Sequence, residues 1–227
     1  MLRAFLLGAA LCCLSFAAHA QDRLVLTQYC VFDGSTLSED IYGFDSDDEA
    51  QVALNRVMRH AGLEPNFIIR AANVPNAVAA IEGSQRLILY NQAFMISVRD
   101  LTNTDWSTVS ILAHEVGHHL QGHTLMFGGS RPPTELEADK YSGFILQRMG
   151  ATLDEARAAM QLVADEMGSA THPGREARLA AITNGWVQGR DLNEQTPDTG
   201  TPPADPIPQE TTVKPRPTPP ETPDSYP

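Results

Sequence analysis

The chain has 227 residues, 42% of them hydrophobic, and a formal net charge of -12 at pH 7. That length supports one domain with a substantial core. The acidic balance, with no basic patch to offset it, argues against nucleic acid as a partner.

Residues 1–20, MLRAFLLGAALCCLSFAAHA, carry one Arg near the start, then an apolar run, then Ala18-His19-Ala20. This reads as a secretory signal with a small-residue cleavage site and a mature start at Gln21. A membrane anchor is the alternative, but the run is short for a span and no other segment approaches about 18 apolar residues. The protein is therefore expected in the periplasm or outside the cell, with no transmembrane segment in the mature chain. Cleavage would leave Cys30 as the one remaining cysteine, in the strand-like run LVLTQYCVF, where a buried inert thiol is expected.

SDDEAQVALNRVMRHAG predicts a helix, with Ser46 and Glu49 as a capping box, Val52, Val57 and Ala61 on its apolar side, and Gly62 as its stop. His60 is read as a charge at the helix C-terminus. Short β-prone runs follow at 66–70, 76–81 and 86–90, then a short helix near 92–99. The next helix starts at a cap on Asp105 or Ser107 and has Val109, Leu112, Val116 and Leu120 on one side. A loop, a helix ending at Gly150, a helix capped by Thr152 and Glu155, and a last helix from about Gly174 complete the body. The fold class expected is α+β with more helix than strand. Domain boundaries fall at 1–20 for the signal, 21–190 for the body and 191–227 for a Pro/Thr-rich tail too poor in apolar residues to bury a core. The tail's partner, if it has one, is not legible.

Four of the seven histidines lie between 114 and 123, in AHEVGHHLQGH. His114, Glu115 and His118 spell H-E-x-x-H. On a helix the two histidines are one turn apart on one face and can reach a single ion, while Glu115 points to the side, where it can take a proton from water activated by that ion. A hydrolytic zinc needs a third protein ligand and an open position. His123 is out of frame by one for the spacing H-E-x-x-H-x-x-G-x-x-H. In TELEAD, Glu135 and Asp139 share a helix face. Glu135 is thus the expected third ligand, and Asp139 the acceptor that fixes the tautomer of a ligating histidine. Glu137 projects elsewhere and, with Thr134 as N-cap, fits a capping box. His119, about 100° round from His118, is expected to be structural, and His123 a polar helix-end residue.

The ordered set ILAHEVGHHLQGH, ELEAD and THPGREARLAAI, preceded by NAVAAI and RLILYN, resembles the gluzincin metallopeptidases that include HtpX, BepA and the CaaX prenyl-protein endopeptidases, over about residues 45–186. The resemblance implies a zincin-like fold, one Zn2+ per chain and endopeptidase (hydrolase) activity on a protein or peptide substrate. It also implies a small sheet whose edge strand lies beside the H-E-x-x-H helix and holds the substrate extended. By the same resemblance His172 sits near the metal as a fourth ligand or latency switch. Arg178 joins Glu115 as a catalytic candidate, holding an oxyanion or the carboxylates of the site. The chain departs from the membrane-embedded members in lacking spanning helices, and from the repeat-bearing members in lacking the repeats. It is expected to be a compact exported version. Two other readings remain open: a chaperone-like or binding protein with a latent or structural zinc, and a zinc-dependent cell-wall peptide amidase.

Overall fold

The computed structural model describes residues 22–38, 40–44, 46–126 and 130–195. The expected signal peptide and the tail beyond residue 195 lie outside the described residues.

The described chain is α+β. Six helices accompany one mixed sheet of six strands: β1 (Asp22–Leu24), β2 (Gln28–Val31), β3 (Ile41–Phe44), β4 (Ile68–Ala72), β5 (Ala77–Glu82) and β6 (Gln85–Tyr90). Their order is β1-β3-β4-β6-β5-β2. All neighbours pair antiparallel except β4 and β6. The three β-prone runs become β4, β5 and β6, and the run containing Cys30 becomes β2. β1 and β3, of three and four residues, were not anticipated. Leu24, Val31, Ile41, Val78, Ala80, Leu87 and Leu89 form a core on one face of the sheet. The alternate residues Cys30, Ala79 and Ile88 are mutual partners across three strands and are fully buried on the other face.

The helices are α1 (Asp48–Ala61), α2 (Gln92–Thr102), α3 (Trp106–Leu120), α4 (Pro132–Arg148), α5 (Leu153–Val163) and α6 (Arg175–Gln195), with a 3-10 turn at His123–Leu125. Gly62 ends α1 in the left-handed region at φ 71°, as expected. Its N-cap, however, is Asp47, whose carboxylate accepts from the Ala50 N–H at 2.7 Å, and not Ser46. The buried face is Ala50, Leu54, Val57 and Met58, at helical spacing. Val52 lies two residues, hence about 200°, from Leu54 and is exposed. α2 extends to Thr102, beyond the expected 99, and α6 continues to Gln195, into the segment assigned to the tail.

At α3, the residue before the first turn is Asp105, but its side chain makes no cap. The Trp106 N–H instead donates to Thr104 Oγ1 at 3.3 Å, and Ser107 Oγ to the Thr104 carbonyl at 2.8 Å. α4 begins at Pro132, earlier than a Thr134 cap would allow, because proline pre-sets the first-turn backbone and needs no N–H partner there. Thr134 thus sits inside the first turn and Glu137 has no capping role. The Thr152–Glu155 capping box of α5 is present: Thr152 N–H donates to Glu155 Oε2 at 2.8 Å and Glu155 N–H to Thr152 Oγ1 at 3.3 Å.

α3 is buried almost all round, its polar residues included, and packs on β5 and β6 as well as on α4 and α5. His119 secures it to the sheet. Its Nε2 donates to the Leu87 carbonyl of β6 at 2.8 Å, and its ring stacks on Phe67 at 5.1 Å. That is the structural role expected of it. α4 and α6 touch backbone to backbone. A Cβ on Gly143 would lie 2.0 Å from the Ile182 carbonyl oxygen, and one on Gly185 would lie 1.8 Å from that of Lys140. No helix among the described residues is long and apolar enough to cross a membrane.

Two outcomes are expected. Gly185→Ala must push α4 and α6 apart and should cost more than about 2 kcal/mol in denaturant unfolding. Burial lowers the His119 pKa from 6.5 to about 4. The unfolded chain therefore binds a proton that the folded chain refuses between those values, and stability is lost as pH falls through that window. His119→Gln keeps a donor for Leu87 and should remove about 2 kcal/mol of the acid-induced loss measured between pH 7 and pH 5.

Candidate metal centre

His114 and His118 project from one face of α3, one turn apart, with their Nε2 atoms 3.0 Å from each other. Glu135, in the first turn of α4, meets both. Its Oε2 is 3.3 Å from His114 Nε2 and its Oε1 is 3.4 Å from His118 Nε2. All three residues are buried, with ligand atoms within 4.8 Å of one another. A tetrahedral ion with bonds of about 2.0–2.1 Å needs its ligand atoms roughly 3.3 Å apart. The observed 3.0–3.4 Å separations match that spacing, so the donor set fits a divalent ion.

Gly117 makes this meeting possible. A Cβ there would press on the α4 backbone, 3.2 Å from Ala138 Cα and 3.3 Å from its carbonyl oxygen. With hydrogen at that position, α4 approaches closely enough for Glu135 and Asp139 to reach the α3 histidines. Asp139 is placed as expected, with Oδ1 2.8 Å from His114 Nδ1, the nitrogen away from the ligand cluster.

His118 has its own support, which the sequence reading missed. Its Nδ1 is 3.0 Å from His123 Nδ1, and His123 Nε2 donates to Glu137 Oε2 at 2.9 Å. His123 is therefore not a mere helix-end residue. The 3-10 turn after α3 folds it back under His118, fixing the tautomer that leaves Nε2 facing the cluster. Glu137 is the outer end of this relay. His123 lies outside the group that could hold a metal, and a polar residue five positions on from His118 returns to it through a turn.

Arg178 of α6 is almost fully buried. Its Nε and Nη2 donate to Asp139 at 2.8 and 3.0 Å, Nη2 also reaches Glu135 Oε2 at 3.5 Å, and Nη1 donates to the Phe32 carbonyl at 2.9 Å. It grips the carboxylates of the site. His172, in the loop before α6, contacts the site through Glu135, with Nε2 3.2 Å from Oε2. The same nitrogen donates to the Val31 carbonyl at 2.8 Å.

The electrostatics follow from burial. Glu115 is fully buried, no side chain reaches either carboxylate oxygen, and the Ala79 backbone of β5 is its one hydrogen-bonding neighbour. Burial pushes its pKa up to about 8. Burial also lowers His118 to about 4. It disfavours charge on His114 as well, but the adjacent Asp139 and then Glu135 outweigh it and raise His114 to about 9. Burial would raise Glu135 and Asp139. The close approach of His114, His118 and His172 holds Glu135 well below the usual carboxylate range, and Arg178 with His114 holds Asp139 down.

Comparisons with protein-family models, with curated proteins and with solved structures gave no match.

The chain should bind one divalent ion. Because the metal-free His114 holds its proton up to about pH 9, uptake at pH 7 should release it. Affinity should then rise up to tenfold per pH unit toward that value, as read by chelator competition. His118→Ala should abolish binding, and His123→Ala should weaken it by about 10–100-fold.

Proposed function

We propose that this chain is a zinc-dependent endopeptidase, a small exported gluzincin that hydrolyses peptide bonds of proteins in the cell envelope or outside the cell. The observation that carries the reading is Glu115. A fully buried acid that no other side chain engages is costly to keep. It adjoins a ligand set of two imidazoles and one carboxylate, the donor chemistry of hydrolytic zinc sites that leave one position open.

The ion, when bound, supplies Lewis-acid polarisation of the scissile carbonyl and lowers the pKa of water. The rest falls to side chains of this chain. Glu115 takes the proton from the attacking water and returns it to the departing amine. Burial favours the protonated form of Glu115, which suits the return of the proton to the leaving amine, while the charge of an ion beside it would favour the base form that takes the proton. Asp139 and the His123–Glu137 relay keep the two imidazoles with Nε2 free. Every nitrogen of Arg178 is committed to Asp139, Glu135 or Phe32, so its part is to position the acidic groups rather than to bear an oxyanion.

A second reading, a latent or structural metal site in a binding protein, is favoured by one observation: His114, Glu115, His118 and Glu135 are all at most 1% exposed. The two are separated by loading the purified protein with zinc and following cleavage of unfolded casein. Glu115→Gln should retain the metal and lose at least about 1,000-fold in rate, on the scale set by loss of a general base together with its charge. Full metal occupancy with no cleavage by the parent chain under any condition would favour the binding reading.

A further inference from the structure

The ligands and Glu115 are covered by a specific piece of chain. β5 is the strand that packs on α3 next to the site, and its outer edge is taken by β2. The pairing is antiparallel, Gln28↔Ile81 through Val31↔Val78, and is continued by the Phe32 N–H donating to the Ala77 carbonyl at 3.0 Å. An interior β5 differs from the edge strand that the gluzincin resemblance implies beside the zinc helix. The chain itself fills the place where an extended peptide would add to the sheet.

Among the described residues no further strand lies beyond β2. Its outer side meets side chains: the Val31 N–H donates to Ser130 Oγ at 3.3 Å and the Val31 carbonyl accepts from His172. Next to these contacts runs a groove of about 370 Å³ lined by Tyr29, Val31, Gly34, Ser130 and His172. Gly34 turns the chain at φ 82°, and its bare Cα fits against the His172 ring, where a Cβ would lie 2.6 Å from Nδ1. Inward, the Phe32 ring packs edge-on against His114 at 5.1 Å and lies under Arg178. Cys30 faces the same side as Ala79, fully buried, with Glu115 and Glu135 close enough to disfavour its thiolate.

We infer that residues 28–32 are an internal occupant of the substrate strand position, and that this segment lifts from β5 to admit an extended polypeptide. This rests on the endopeptidase reading and adds its regulation. β2 is a four-residue edge strand paired only with β5, so its release would break one ladder, the contacts to Ser130, His172 and Arg178, and the seats of Cys30, Val31 and Phe32, and would leave the pairings of β4, β5 and β6 in place. Cys30 is shielded only while the segment is seated.

Two measurements on the full chain, with Cys12 and Cys13 replaced by Ser, decide this. The first is the rate of Cys30 alkylation by iodoacetamide under native conditions, across low denaturant concentrations. The inference expects labelling at least tenfold faster than global unfolding allows, with little denaturant dependence. Labelling that tracks global unfolding overturns it, whatever the enzyme does. The second adds Cys30→Ser and pairs Tyr29→Cys with Ala80→Cys, which face each other across β2 and β5. With zinc bound, the oxidised form should cleave casein at least tenfold more slowly than the reduced form. Equal rates overturn the inference and leave proteolysis standing. If neither the reduced form nor the parent chain cleaves casein, the endopeptidase reading fails, and the opening of β2 is decided by the alkylation rate alone.

Discussion

The structure turns on a buried ionic cluster. Glu115, Glu135 and Asp139 are fully buried carboxylates, and the guanidinium of Arg178 is the permanent cation set among them. Charges this deep survive only when each is paired, and removing one partner of such a set costs about 3–5 kcal/mol. Arg178 therefore ties three remote parts of the chain together. It joins α6 to α4 through Asp139 and Glu135, and to the end of β2 through the Phe32 carbonyl. Glu115 is the acid of the cluster that Arg178 does not bond, and the proposed chemistry is assigned to that residue.

Close helix packing sets the distances within this cluster. Hydrogen at Gly117 brings α4 against α3, and hydrogen at Gly143 and Gly185 brings α6 against α4. The three helices are stacked at near-backbone contact, so the ligands on α3 and α4 and the arginine on α6 reach one another with little freedom. On the other side, the small side chains of β5 let the sheet approach α3, and β2 seals the edge.

Much of this was legible in the sequence, and for physical reasons. The i, i+4 spacing of His114 and His118 and of Glu135 and Asp139 forces each pair onto one helix face, so the three residues that come together and could hold a metal, and the aspartate beside His114, could be named from spacing. Thr152 with Glu155 and the terminal Gly62 are local signals, and they held. The errors arose where a tertiary contact or a competing local residue outweighed the pattern. Asp47 took the cap from Ser46, Pro132 started α4 ahead of Thr134, and Val52 faced solvent because Leu54, Val57 and Met58 chose the buried side. β1 and β3 are too short to show a period of two. Gly143 and Gly185 stood inside helical segments as a hint of backbone contact, but spacing alone does not say which helix approaches. Nothing local foretold that the segment before Phe32 would return across the sheet to cover the histidines.

The relay from His118 through His123 ends on Glu137, whose side chain is 58% exposed. A fully buried imidazole of the candidate metal centre is thus wired to a carboxylate in solvent. Bulk conditions that never penetrate the core, such as counter-ions or a docked cationic neighbour at Glu137, can reach the basicity of that imidazole through two hydrogen bonds. Any grip it would have on an ion is open to adjustment from the outside of the molecule, by changes that leave its packing untouched.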